Sequence, residues 1–154
     1  VTPSAEVTIY GLGAKMAETH RYAPPSCGAG YAATGSIESS TFDTGVATGA
    51  AYNSMIWTGA LGTGNIGRVR LQIATSNSSS GPWTYYGDSD GDGVCATIEY
   101  YEPSANASIE IGCESLHNNK RYFRYKTTLC SSNDCSSSGE TTPRVDDVII
   151  NWSP

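Results

Sequence analysis

Polar and apolar residues alternate without a fault through Arg68-Val69-Arg70-Leu71-Gln72-Ile73, and this period of two admits a half-buried strand and excludes an amphipathic helix. Tyr122 to Leu129 repeats the pattern, which predicts Phe123, Tyr125 and Leu129 inward. Asp146 to Trp152 predicts a last strand with Val148, Ile150 and Trp152 on one face. Weaker strand signals cover Val7 to Leu12, Gly35 to Phe42, Tyr52 to Thr58, Trp83 to Tyr86, Thr97 to Tyr101 and Ala107 to Ile111. Between them stand turn-forming runs such as Asn77-Ser78-Ser79-Ser80-Gly81-Pro82 and Ser136-Ser137-Ser138-Gly139. Gly13 to Gly30 reads as neither strand nor helix with any clarity.

Composition points the same way. Ser, Thr and Gly supply 53 of the 154 residues and Tyr another 10, a mixture poor for helices and suited to pleated surfaces and turns. Short strands at regular spacing then predict an all-β, antiparallel two-sheet sandwich of jelly-roll type, in which each sheet covers the other's apolar face. The expected organisation is an N-terminal extension over residues 1–34, with a short strand free to pair with its own sheet or with a neighbouring subunit, and a sandwich over residues 35–154.

The net charge of −6 leaves no basic footprint for nucleic acid. The longest aliphatic run, Val148-Ile149-Ile150, is far short of a membrane span. The chain opens at Val1 with no methionine, and is read as processed from a longer precursor. Five cysteines without paired CxxC spacing argue against zinc and for disulfides in an oxidising, extracellular setting. The preferred pairing is Cys130 with Cys135 and Cys95 with Cys113, leaving Cys27; five cysteines allow other pairings. Sequons at Asn77, Asn106 and Asn151 add little in a chain so rich in serine.

The sharpest motif is Asp88-Ser89-Asp90-Gly91-Asp92-Gly93-Val94-Cys95-Ala96-Thr97-Ile98-Glu99, which satisfies D-x-D-x-D-G-x5-E. A cation of the size of Ca²⁺ takes six to eight oxygens at about 2.3–2.6 Å, and alternate residues of a tight loop can aim theirs at one centre. Asp88, Asp90, Asp92, the Val94 carbonyl and Glu99 are the expected ligands, with Ca²⁺ as cofactor; the competing reading is an acidic hairpin turn. Within these twelve residues the chain resembles EF-hand and dockerin loops. The flanks Trp83 to Tyr86 and Tyr100 to Pro103 read as strand, so the expected role is structural and not a helix-opening switch.

Other motifs carry less. Gly62-Thr63-Gly64-Asn65-Ile66-Gly67 matches G-x-G-x-x-G but leads into a strand, where phosphate binding needs a helix N-terminus. His20 and His117 sit in polar surroundings and are expected at the surface. No nucleophile elbow or metalloprotease motif is present, and no carboxylate pair stands out for glycoside hydrolysis, so no enzyme activity is expected. Trp57 and Trp83 are candidates for a sugar-stacking platform, with a glycan as the alternative partner. Arg68, Arg70, Arg124 and Lys126 should share the polar faces of adjacent strands, a solvated face that could also dock the acidic loop of another copy.

A family likeness runs from Gly35 to Pro154, through Gly35-Ser36-Ile37-Glu38-Ser39-Ser40-Thr41-Phe42-Asp43-Thr44-Gly45, Ile56-Trp57, Arg68 to Ser76, Gly81-Pro82-Trp83, Arg121 to Tyr125, and Thr142 to Val148. It resembles the jelly-roll modules of bacterial surface and secreted proteins, including the globular heads of some pilin-like proteins. Val1 to Glu6 lacks the long apolar helix of a type IV pilin. The resemblance implies an extracellular or cell-surface structural subunit that forms a homo-oligomer or polymer; a carbohydrate-binding or adhesive module is the alternative.

Overall fold

The computed structural model describes residues 5–11, 14–21 and 30–154. The chain divides into two compact units, Val1–Gly30 and Tyr31–Pro154. In the first, strands β1 (Ala5–Gly11) and β2 (Ala14–Arg21) form an antiparallel hairpin in which Ile9 stands opposite Met16. The strand expected from Val7 thus begins two residues earlier, and its end at Leu12 lies outside the described residues. Part of the unassigned Gly13 to Gly30 stretch is strand.

The second unit is an all-β, two-sheet antiparallel sandwich, as the alternation predicts. The first sheet is built around β8 (Tyr122–Cys130), flanked on one side by β6 (Arg68–Ser76) and on the other by β3 (Thr34–Glu38) and β4 (Phe42–Asp43). The second sheet runs β7 (Ile109–Glu110), β5 (Ala51–Ala60), β9 (Arg144–Ser153). The sandwich begins at Tyr31, whose amide donates to Gly139 O at 2.9 Å, four residues before the expected boundary. One turn of helix, α1 (Glu114–His117), packs on β5 and β6. Among the described residues no helix is long and apolar enough to cross a membrane.

Alternation places the core. Val69, Leu71 and Ile73 of β6 meet Met55, Trp57 and Ile150 of the facing sheet, all buried. Each such side chain contributes about 1.5–3 kcal/mol. In β8, Phe123 and Thr127 are buried while Tyr125 and Leu129 are partly so. Phe123 gathers Phe42, Tyr52 and Trp152 around it at ring separations of 5.0, 5.7 and 5.6 Å. Trp152 nonetheless stays 41 % exposed.

Two weak strand signals resolve otherwise. Thr97 and Ile98 form a turn, with pairing only at Tyr101, and the Trp83 to Tyr86 segment pairs only at Tyr86. The G-x-G-x-x-G segment is a 3-10 turn at Thr63–Asn65 leading into β6.

Candidate functional site

The acidic loop is an excursion from the outer edge of β6. Tyr86 exchanges both backbone hydrogen bonds with Ile73 at 2.9 and 3.0 Å, and Tyr101 exchanges both with Leu71 at 2.8 and 2.9 Å. Between these two anchors Gly87 pairs with Ala96, closing the base of the loop. A Cβ on Gly87 would lie 2.4 Å from Glu99 O and 2.5 Å from Tyr100 Cα, so only glycine fits where the two strands of chain cross. Gln72, on the face of β6 opposite the core, is 3 % exposed because the loop covers it. Its Nε2 donates to Thr97 O and Glu99 O, both at 2.9 Å.

Within the loop the aspartates organise the backbone. Asp88 accepts from the Gly91 amide at 2.8 Å and the Gly93 amide at 3.1 Å, Asp90 from Asp92 at 3.3 Å, and Asp92 from Val94 at 2.7 Å. Gly91 and Gly93 adopt φ of 73° and 79°, the left-handed conformation that such turns demand. The result brings one carboxylate oxygen each from Asp88, Asp90 and Asp92 within 4.8 Å of one another. Asp88 is buried, while Asp90 and Asp92 are exposed.

Glu99, the fourth expected carboxylate, is placed differently. Glu99 is not in this cluster, and its Oε2 is buried without a hydrogen-bond partner. Val94, expected to act through its carbonyl, leaves its side chain 68 % exposed. Glu110 of β7 was not foreseen from the sequence. With Asp88, Tyr101 and Gly112 it lines a cavity of about 270 Å³ beside the loop, and no spacing rule links it to the motif. Three carboxylate oxygens so close are of the type and spacing that a hard divalent cation takes as part of its shell.

A disulfide between Cys95 and Cys113 ties the loop to the segment before α1, and a second joins Cys130 and Cys135. These are the preferred pairs from the sequence; Cys27 lies outside the described residues. Cys95 and Cys113 also approach Asp88, but bridged sulfurs have no thiolate to offer a metal. A Cβ on Gly112 would meet Asp88 Oδ2 at 2.7 Å, so the carboxylate lies directly over the backbone of the stapled segment. Tyr101 sits beneath with its hydroxyl 3.4 Å from Gly112 O; burial, then the Asp88 charge, raise its pKa.

Three expectations need correction. Trp57 cannot stack on a sugar: it is fully buried, with Nε1 donating to Pro103 O at 2.8 Å. A bulge between Tyr52 and Ser54 shifts the alternation of β5, so that Tyr52, Met55 and Trp57 all face the core. His117 is not a surface residue but 1 % exposed, beside Tyr86 and Thr75, and burial lowers its pKa to about 4. The basic face is not free. Arg124 lies over Trp83 at 4.9 Å, Lys126 over Tyr85 at 5.9 Å and Arg70 over Tyr100 at 5.0 Å, while Glu102 pairs with Arg68 and Arg70. The half-buried Trp83 ring is therefore already engaged by a cation.

Compared with protein-family models, with curated proteins and with solved structures, the chain matches none.

Proposed function

We propose that this chain is a secreted structural protein without catalytic activity, a sandwich stabilised by calcium that self-associates into an extracellular filament or surface polymer. The observation that carries the reading is the convergence of Asp88, Asp90 and Asp92 in a loop rooted on β6 and held by a disulfide. Among the described residues Arg68, Arg70, Arg121 and Arg144 pair with other acids, namely Glu102, Asp43 and Asp146, and no salt bridge reaches these three carboxylates. Three like charges repel one another, and a divalent cation removes that cost.

Asp88, Asp90 and Asp92 would hold the ion, with the Val94 carbonyl and Glu99 completing the set that the sequence pattern supplies. When bound, the ion would neutralise the loop; the chain's own contribution is a fixed backbone that presents the oxygens. The two disulfides favour an oxidising compartment, which supports secretion.

The test is a pair of thermal melts, with calcium and after chelation, and negative-stain electron microscopy of both samples. A melting temperature that falls on chelation, together with filaments that come apart, is the expected result. An unchanged melt removes the calcium assignment. Monomers at every calcium concentration remove the polymer.

A further inference from the structure

The disulfide beside the acidic loop stands among groups that a metal would use. One ligand atom each of Asp88, Cys95 and Cys113 lies within 4.8 Å of the other two. The fold assembles them and no local spacing does, because the two cysteines are separated by 18 in sequence. Asp88 and Cys113 are 7 and 8 % exposed and Cys95 is half-buried, so water is largely kept from the cluster. Among the described residues the other bridge, Cys130–Cys135, belongs to no such group.

The surroundings suit sulfur as a ligand. The Tyr101 hydroxyl is 3.4 Å from Cys95 Sγ, where it can donate to a thiolate and orient it from outside the ligand set. Cys113 Sγ lies 3.2 Å from Gly93 O, which can accept from its thiol once no bridge is present. The cavity of about 270 Å³ lined by Asp88, Gly93, Tyr101, Glu110 and Gly112 opens beside the cluster and gives an ion a way in. Zinc takes sulfur at about 2.3 Å and carboxylate oxygen at about 2.0–2.2 Å, which sets tetrahedral ligand atoms roughly 3.6–3.8 Å apart. That separation falls inside the span these three atoms already occupy.

We infer that Asp88, Cys95 and Cys113 form a binding site for a thiolate-seeking divalent cation of the zinc class, closed while the disulfide stands and opened by its reduction. A dithiol reductant supplies the two electrons and two protons. One of its sulfurs attacks a bridge sulfur, the other displaces the mixed disulfide, and it leaves as a cyclic disulfide while Cys95 and Cys113 become thiols. Zinc then binds both sulfurs and one Asp88 oxygen, the two thiol protons pass to solvent, and a fourth position remains for water. The ion joins the loop to the segment before α1 through the same two residues that the bridge joined, so the tie persists in either redox state. Reoxidation by a disulfide sends the two electrons to the oxidant, which takes two protons from solvent, and releases the ion.

The experiment uses the full chain with Cys27→Ser as background, before and after treatment with a dithiol, and zinc alone as the probe. Alkylation and mass spectrometry locate the opened bridge, competition with a chromophoric chelator counts zinc, and the sulfur charge-transfer absorption of cadmium counts metal–sulfur bonds. One zinc gained per chain on reduction, two cadmium–sulfur bonds absent before it, and a melting temperature of the reduced chain that rises with zinc are the expected results. Cys113→Ser is expected to lose the ion. Asp88→Asn should weaken it by at least the roughly tenfold that loss of an outer partner alone costs, whereas Asp90→Asn should leave it unchanged. A Cys95–Cys113 bridge that the dithiol cannot open in the folded chain overturns the proposal, as does a reduced chain that gains no zinc. Zinc binding that survives Cys113→Ser belongs to Cys130 and Cys135 and overturns it too, and so do equal affinities of the Asp88→Asn and Asp90→Asn variants.

Discussion

The two flanks of the first sheet solve the edge problem in opposite ways. Beyond β6 the chain closes its own edge: Tyr86 and Tyr101 pair with it, Gln72 pins the loop, and Cys95–Cys113 locks the far side. Beyond β3 nothing among the described residues closes it, and apolar Ile37 faces solvent. An edge closed covalently and by buried polar groups belongs to the stability of the subunit. An edge left apolar and unpaired adds little to that stability.

Substitutions should therefore cost folding free energy on one flank and almost none on the other. The largest effect is expected from Cys95→Ser with Cys113→Ser. Opening a link of sequence separation 18 should lower stability by about 3 kcal/mol, seen as an earlier urea midpoint. Acid comes next, through His117. Burial lowers its pKa from 6.5 to about 4, so the folded state favours the neutral ring while the unfolded chain takes up a proton from about pH 6.5 downward. Stability is full above pH 6.5 and falls towards pH 4, by about 2 kcal/mol between pH 7 and pH 5; His117→Gln should flatten that slope in denaturant titrations at each pH.

Gln72→Ala strips two carbonyls of their donor and should cost about 1–3 kcal/mol, read by the same titration. Ile37→Asp should change monomer stability by no more than about 0.5 kcal/mol. A large loss there would mean that the open flank is part of the folded core, and the contrast would collapse. Equal and small losses at Gln72 and Ile37 would break it from the other side.

What the sequence discloses of this arrangement follows from where the information is local. The alternation in β6, β8 and β9 is local, and those strands appear as expected. The bulge at Asn53 is not: it turns Trp57 inward although nothing around Ile56-Trp57-Thr58 distinguishes an inward from an outward ring. Gln72 and His117 were hidden for a related reason. Gln72 stands at an outward position of the alternation and His117 in a loop-like stretch, and each is buried by a distant segment, the loop over Gln72 and the strands beneath α1. The three aspartates of the acidic motif converge because tight Asx turns and two glycines act over a few residues. Glu99 requires the loop's far end, where the turn at Thr97 and Ile98 and the pull of Gln72 decide the path.

The outer face of the first sheet bears on a different matter, how its charge is spent. Arg70, Arg124 and Lys126 are each spent on a ring of the same molecule, and Tyr85 in turn donates to Glu38 at 3.1 Å. A broad surface whose charges and rings satisfy one another has few directions left in which to attract a neighbour. That face is thereby closed on itself, its cations and rings held as partners of one another within a single sheet.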